Sequence, residues 1–546
     1  MNKLLISVLL LFFCSCSNEV RIASIQHYKA DLTNSYISVK GVVSGDFQEA
    51  GELAGFYLQD ERLFSSWGIF VHSKRKVNLG DEILICAKVI EYKNETRLDS
   101  VSSITVLSSN NTVATKILSF PFTEKSIEEL EGCLVSITDP LYISDSYSFA
   151  KYGKLLLSLN PMVQGTENYD AQNESEEIEK HNLQQKTTSI VVDDLSNNRN
   201  PTDENLYLPK AAVVVGTKVS NIKGYISQRN EQYSIRLVSD LEYININKDH
   251  DTDLLGDLKI MSFNLHNLFN GDGNKGGFPT ARGAKDYQSY QKQLSKLAAA
   301  IDLANPDIIA LMEVENDGEH TLSSIAQFCE FLNSNTNRSS YAVAKTVGLA
   351  SKDVIKNGIV YDSLNVSISE LGVYYPSKVF SRSPLFQSFT FKDSLDFVLS
   401  VNHFKSKSPR NAKGENIDQL DGQAAFNYKR TQQAEKLVQL TDSLYAEKDL
   451  LIVGDFNAYS KEDPIQAIEA EDLTRLATSN YSYIYKGNMG SLDHAFATTD
   501  FKKRIKQTQV LDINASYPNW IDYRFEDADS SYFRSSDHNP ILIGIY

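Results

Sequence analysis

Two regimes of hydrophobic patterning divide the chain. From residue 35 onward apolar and polar positions alternate in short runs: Tyr36-Ile37-Ser38-Val39-Lys40-Gly41-Val42-Val43, Gly55-Phe56-Tyr57-Leu58-Gln59-Asp60, Gly68-Ile69-Phe70-Val71 and Glu82-Ile83-Leu84-Ile85-Cys86-Ala87. A period of two, broken by glycine or charged turns, predicts half-buried strands. No helical stretch of comparable length intervenes, so the strands are expected to close into a small antiparallel barrel over 20–110. A weaker series over 115–245 offers the strand candidates Cys133-Leu134-Val135-Ser136-Ile137, Lys154-Leu155-Leu156-Leu157, Ser189-Ile190-Val191-Val192-Asp193 and Ile222-Lys223-Gly224-Tyr225-Ile226. Inside it, 164–185 is polar and acidic with few apolar positions, and reads as a mobile insert.

After a charged linker at 248–256 the pattern changes. Over 257–546 strands alternate with helices: 258–264 is a strand ending in Asn264, and 287–304 is a helix with Tyr290, Leu294, Leu297, Ala298 and Ile301 on one face. Pro306 follows it, and the apolar run 308–312 leads into Glu313. Further strands are expected at 397–403, 450–453, near 493 and at 541–545, with a helix over 423–446. This is an α/β layered domain whose strands end at polar residues, where catalytic groups are usually carried. In Gly454-Asp455-Phe456-Asn457 the two polar side chains alternate around Phe456, so a carboxylate and an amide share one side of the strand end while the ring points into the packing.

Length and composition narrow the class. A chain of 546 residues needs two to four domains, and 42% hydrophobic with 10% aromatic residues is the composition of a folded protein. The net charge of −16 excludes a protein that coats nucleic acid through a broad basic surface. It leaves open an enzyme on phosphodiesters whose bound cations supply the positive field. At the N-terminus Lys3 precedes an apolar run over 4–13 that is too short to span a bilayer, which reads as an export signal over 1–16. Phe13-Cys14-Ser15-Cys16 resembles a bacterial lipobox, with Phe13 where Leu is usual. That resemblance implies acylation of Cys16 and a membrane-anchored lipoprotein at the outer membrane or cell surface, with simple secretion as the other outcome. Cys86, Cys133 and Cys329 are far apart and odd in number, so they are expected as small buried hydrophobes with no disulfide framework.

The order of the first strands resembles the OB-fold modules that precede nuclease domains in secreted bacterial enzymes. Its aromatics Phe56, Tyr57, Trp67 and Phe70 either stack single-stranded nucleic acid or fill the barrel, and filling is the simpler reading. Further on, Phe263-Asn264, Met312-Glu313, Asn402-His403, Gly454-Asp455-Phe456-Asn457, Leu492-Asp493-His494 and Ser536-Asp537-His538 occur in the order and spacing of the endonuclease/exonuclease/phosphatase (DNase I-like) superfamily. Phe278-Pro279-Thr280-Ala281-Arg282-Gly283 and Asn402-His403-Phe404-Lys405-Ser406-Lys407 look like its secreted bacterial nuclease branch.

The resemblance implies a four-layer α/β sandwich preceded by all-β, OB-fold-like modules. It implies an exported, metal-dependent nuclease that hydrolyses DNA, with RNA as a second polymer, by in-line attack of water. The other readings are a phosphoesterase on phospholipid or sugar phosphate, and a nucleic-acid-binding surface protein. Glu313 is the natural ligand for a hard cation such as Mg²⁺, with Mn²⁺ or Ca²⁺ as alternatives, joined by Asn264 and Asp537. By analogy with the family, Asp455 activates the water, Asn457 donates to phosphate, His538 stabilises the phosphoryl oxygens or passes a proton, and Asp493 fixes the His538 ring. His403 resembles a second histidine that serves as general acid, with Asp353 expected as its partner. Arg282, Arg382 and Arg430 are expected in ion pairs.

Overall fold

The computed structural model describes residues 19–60, 67–196, 198–202, 204, 206–244, 252–470, 472–525 and 529–546. The segment 1–16 read as an export signal, with Cys16, and residues 248–251 of the linker lie outside them. The chain divides into two units, one of 1–160, 186–212 and 217–245, the other of 161–185, 213–216 and 246–546. No helix among the described residues is long and apolar enough to cross a membrane.

In the first unit, Tyr36–Phe47 pairs with Gly55–Gln59, which pairs with Gly68–His72; that strand runs parallel to Glu95–Ser108, which pairs with Glu82–Tyr92. Glu82–Tyr92 returns to Tyr36–Phe47, and the barrel closes. Val39, Phe56, Ile69, Ile85 and Leu98 fill it. Tyr57 and Phe70 are also buried, against Tyr225, whose ring stacks on Tyr57 at 4.0 Å between centroids. Three of the four candidate stacking aromatics are thus packing residues. The strands of 115–245 form a nine-stranded sheet running from Glu242–Ile244 to Lys116–Ile117, and no pair closes it among the described residues, so it is not a second small barrel. Cys133 and Cys329 are buried thiols, whereas Cys86 is disulfide-bonded, contrary to the expectation.

The polar stretch read as a mobile insert is ordered. It forms the helices Gly165–Asn168 and Ser175–Thr187, and 161–185 packs with the second unit.

The second unit is built on two sheets. One has six strands in the order Tyr341–Val343, Ile355–Asp362, Ile308–Glu315, Leu258–Leu268, Ile541–Ile545, Ile505–Val510. The other includes Leu385–Phe391, Leu395–His403, Leu450–Asp455 and Asp493–Thr498 as successive neighbours. Their continuous apolar runs have a simple cause, since each central strand is buried on both faces. Ile308, Ala310 and Met312 meet Leu451, Val453 and Val401 between the sheets. The alternate residues Ile309, Leu311 and Val314 pack on the helices Tyr287–Ala304 and Ser324–Asn335. Leu450, Ile452 and Phe456 pack on Asn427–Tyr445 and Asp463–Glu469. Helix, sheet, sheet and helix form the four-layer sandwich that the sequence resemblance implied. Tyr287–Ala304 begins where the Asp286 carboxylate accepts from Ser289 N at 2.7 Å and ends at Asn305 in the left-handed region.

Candidate active site

Strand register assembles half of the site. Leu395–His403 runs parallel to Leu450–Asp455 with His403 opposite Asp455, and Asp493–Thr498 runs antiparallel with Asp493 opposite Asp455. Three polar residues therefore end three adjacent strands side by side. The close approach depends on Gly454, where a Cβ would lie 2.0 Å from the Asn402 carbonyl oxygen. As expected, Phe456 is buried in the helix-facing core while Asp455 and Asn457 lie together, Asn457 N donating to Asp455 Oδ1 at 2.9 Å.

The facing sheet supplies the rest. Leu258–Leu268 carries Asn264, whose Nδ2 donates to Asp455 Oδ2 at 3.2 Å. In Ile308–Glu315 the register slips between Leu311 and Val314, and Glu313 sits there at φ +62°. Such a bulge re-aims one side chain at the cost of a backbone conformation that non-glycine residues avoid, a feature common beside active sites. The turn holding Asp537 and His538 is tied in by the Ser536 hydroxyl, which donates to the Asn264 carbonyl at 2.7 Å, and by Asn514 Nδ2, which donates to the His538 carbonyl at 2.7 Å.

Asp455 Oδ2 is the hub. His403 Nε2 lies 3.5 Å from it and His538 Nε2 4.0 Å. His538 Nδ1 is 2.7 Å from Asp493 Oδ2, and its ring leans on Tyr483 with centroids 4.7 Å apart. Burial pushes the Asp455 carboxyl up to about 7, reinforced by Asp493 and Glu313 and opposed by His538. Burial alone would lower His538, but Asp493, Asp455 and Asp537 raise it well above the ordinary histidine range. His403 goes the other way, held far down by burial and then by Arg382 and His538. The two imidazoles thus differ in charge: His538 is a cation wedged among carboxylates, and His403 is neutral. Burial and Arg382 favour the neutral form of His403, whereas the expected proton donor needs the charged one.

Asp455, Asp493 and His538 bring potential ligand atoms within 4.8 Å of one another. The chemistry of the donors nevertheless favours a different set for a hard cation. The Asp493 and His538 atoms are already spent on each other, and imidazole suits softer metals than Mg²⁺. Glu313 is raised by burial and then by Asp537, a pair of carboxylates that a divalent ion would reconcile. Asp537 stays ionised, since His266 and His538 outweigh its burial. Glu313, Asp537 and the Asn264 amide are oxygen donors in surplus over nearby cations, so they fit such an ion.

Other groups at the site carried no sequence assignment. His266, at φ +55° just past Asn264, has Nδ1 3.4 Å from Asp522 Oδ2 and 3.8 Å from Asp537 Oδ1. Its position two residues after Asn264 was the available signal. Asp522 gave none, because it comes from a loop far away in the chain. Arg382 donates through Nε to the His403 carbonyl at 3.2 Å, through Nη2 to the Phe404 carbonyl, and pairs with Asp353 at 3.2 Å. Asp353 also pairs with Arg282 at 3.2 Å, so it serves two arginines and is not the partner of His403, whose nearest carboxylates are Asp455 and Glu313. Arg430 makes no ion pair among the described residues but donates to the carbonyls of Ala425 and Gln423, each at 2.7 Å. Asn457 Nδ2 donates to the Phe404 carbonyl at 3.3 Å.

The fold and these residues define a hydrolase domain of the DNase I-like superfamily. A model of the Endonuclease/Exonuclease/phosphatase family matches residues 261–538, half of the chain, and the chain belongs to that family. No curated protein matches it. Among solved structures it is similar to a mannosyl-6-phosphatase of Bacteroides thetaiotaomicron, at 15% identity over 53% of this chain and 99% of that one, with a TM-score of 0.35. It is also similar to the catalytic domain of human Nocturnin with bound sulfate, at 14% identity over 53% and 94%, TM-score 0.36. A third is D. rerio TDP2 complexed with a single-strand DNA product, at 16% identity over 52% and 97%, TM-score 0.33.

Proposed function

We propose that the protein is an exported, metal-dependent nuclease that hydrolyses phosphodiester bonds of DNA, with RNA as a second polymer. One observation carries the proposal: the buried Asp455 carboxylate has the His538 ring 4.0 Å away, and Asp493 fixes the orientation of that ring through a 2.7 Å contact with Nδ1. Asp455 takes a proton from water as its oxygen bonds to phosphorus. His538 gives a proton to the alkoxide leaving as the P–O bond breaks, and Asp493 keeps the ring oriented throughout. Glu313, Asn264 and Asp537 would hold a divalent cation, which would supply positive charge to the phosphoryl group. His403, with Nε2 3.5 Å from Asp455 Oδ2, packs beside the base and limits its movement. Beside the site Lys405 and Lys429 make no ion pair among the described residues, and burial followed by Arg382 lowers both ammoniums, a concentration of positive groups that suits a polymer carrying several phosphates.

Export rests on the charged and apolar run over 1–13, and membrane attachment on acylation of Cys16. The test incubates the protein with circular DNA, linear DNA, RNA and phospholipid, with and without chelator. Cleavage of DNA that chelator abolishes and Mg²⁺ restores is the expected outcome. DNA left intact while phospholipid or a sugar phosphate is hydrolysed overturns the assignment.

A further inference from the structure

We infer that Glu167, on a segment almost a hundred residues before the first strand of the catalytic sandwich, is a positioning residue that holds the turn after Asn457 and the approach to Asp493 in register. The inference rests on the reading of Asp455, Asp493 and His538 as the reacting group.

The reason lies in the hydrogen bonds that the strand pair leaves unmade. Leu450–Asp455 and Asp493–Thr498 pair as far as Asp455 opposite Asp493, with one further bond from Phe456 N to the Leu492 carbonyl at 2.9 Å. Beyond it the two chains part. Buried amides on each side then need an acceptor, because an unpaired N–H away from water is costly. Glu167 Oε2 supplies both, accepting from Ser491 N at 3.0 Å and from Ser460 N at 3.3 Å, while Oε1 takes the Ser460 hydroxyl. Ser460 lies three residues past Asn457, and Ser491 two before Asp493. One carboxylate therefore closes the gap between the two arms that carry Asp455 and Asp493. Charge-assisted bonds of this kind are the stronger sort.

The segment is anchored independently of Glu167, so its carboxylate is held in place. Gln164 N donates to the Met489 carbonyl and Met489 N to the Met162 carbonyl, both at 2.9 Å. Lys461 N donates to the Thr166 carbonyl at 2.9 Å, and the Thr166 hydroxyl donates to Glu462 Oε1 at 2.9 Å, the buried carboxylate that also takes the Lys407 ammonium. On the far side the Ser482 hydroxyl accepts from Leu492 N and Asp493 N, each at 3.0 Å. Asp493 thus has its backbone fixed from Ser482 and its approach fixed from Glu167, and both settings are transmitted to the 2.7 Å bond with His538.

The experiment compares Glu167→Ala, Glu167→Gln and Glu167→Asp in the full chain by two readouts. The first is kcat and KM on a small phosphodiester, bis(p-nitrophenyl) phosphate, with Mg²⁺. The second is the far-downfield proton resonance of His538 Nδ1, which needs no activity. The alanine variant is expected to lose kcat about 10- to 100-fold, the scale set by small misplacements of reacting groups, with KM nearly unchanged and the proton line shifted upfield or lost. Glutamine keeps one acceptor oxygen and is expected to recover most of both. An alanine variant with wild-type kcat and an unmoved proton line overturns the inference. So does a loss of kcat matched in full by loss of folded protein when the aspartate variant, its carboxylate one methylene short, behaves as wild type. A wild-type protein that hydrolyses no phosphodiester removes the proposed function, and the proton line then decides the role of Glu167 alone.

Discussion

Asp455 Oδ2 and His538 Nε2 sit 4.0 Å apart and both titrate above their ordinary ranges, Asp455 through burial and His538 through the carboxylates around it; on the proposed mechanism the first is the proton acceptor and the second the donor. His538→Ala is expected to lower kcat on DNA by about 10²- to 10⁴-fold, the usual worth of one acid–base group, with the melting temperature little changed. Asp493→Asn is expected to fall in the same range, because the amide presents the wrong partner to Nδ1; steady-state kinetics check both. His494, next in the chain, has a separate role. It is buried, its Nε2 is 2.8 Å from the Ala458 carbonyl, and burial followed by Arg475 pushes it down to about 3. Unfolded histidine titrates near 6.5, so below that pH the unfolded chain binds a proton that the folded one refuses. The stability this contributes is full above pH 6.5 and is lost as pH falls towards 3, about 2 kcal/mol of it by pH 5. Between pH 7 and pH 5, denaturant titrations are expected to show a change in stability that differs between the wild type and His494→Gln by about 2 kcal/mol, the wild type losing more.

At the scale of elements, the central strands were legible because both faces of each are apolar, and the helix Tyr287–Ala304 because its stripe and its caps agree. The helix Ser175–Thr187 was not legible. It is made of strong helix formers, but only Ile178 is buried, so it carries no apolar stripe to detect. Strand ends also set the tolerance for substitution. Gly454→Ala is expected to abolish activity and destabilise the fold, since its Cβ has nowhere to go beside Asn402; thermal unfolding together with DNA cleavage checks this. Lys405 lies along the strand exit after His403 with its ammonium 4.3 Å from the Phe426 ring centroid, in no ion pair among the described residues. Lys405→Gln is expected to weaken DNA binding and reduce the slope of log K against log salt by about 1, as measured over a salt series, while leaving turnover of a small phosphodiester unchanged.

At the scale of the whole molecule, units defined by contact do not coincide with stretches of sequence. Residues 161–185 are flanked by strands of the nine-stranded sheet yet pack with the catalytic sandwich. The buried Glu462 has the Thr166 hydroxyl and the Lys407 ammonium as partners. Thr166→Val in the full chain leaves part of that carboxylate unsatisfied, and is expected to cost about 1–3 kcal/mol, read as a lower denaturation midpoint.

What the sequence alone determined is the set of groups and their order: apolar runs that must be buried, each delivering an acid, amide or imidazole to a sheet edge, because strand periodicity and burial are local properties of the chain. The family could be read for the same reason, from six short motifs that each belong to one strand end. Only the tertiary structure decided which imidazole is charged, that Asp353 serves arginines, that His266 and Asp522 join the site, and that Glu167 closes the gap beside Asp493. Those outcomes depend on distances between residues tens to hundreds of positions apart, and on how deeply water is excluded around them. Neither quantity is written in any one segment.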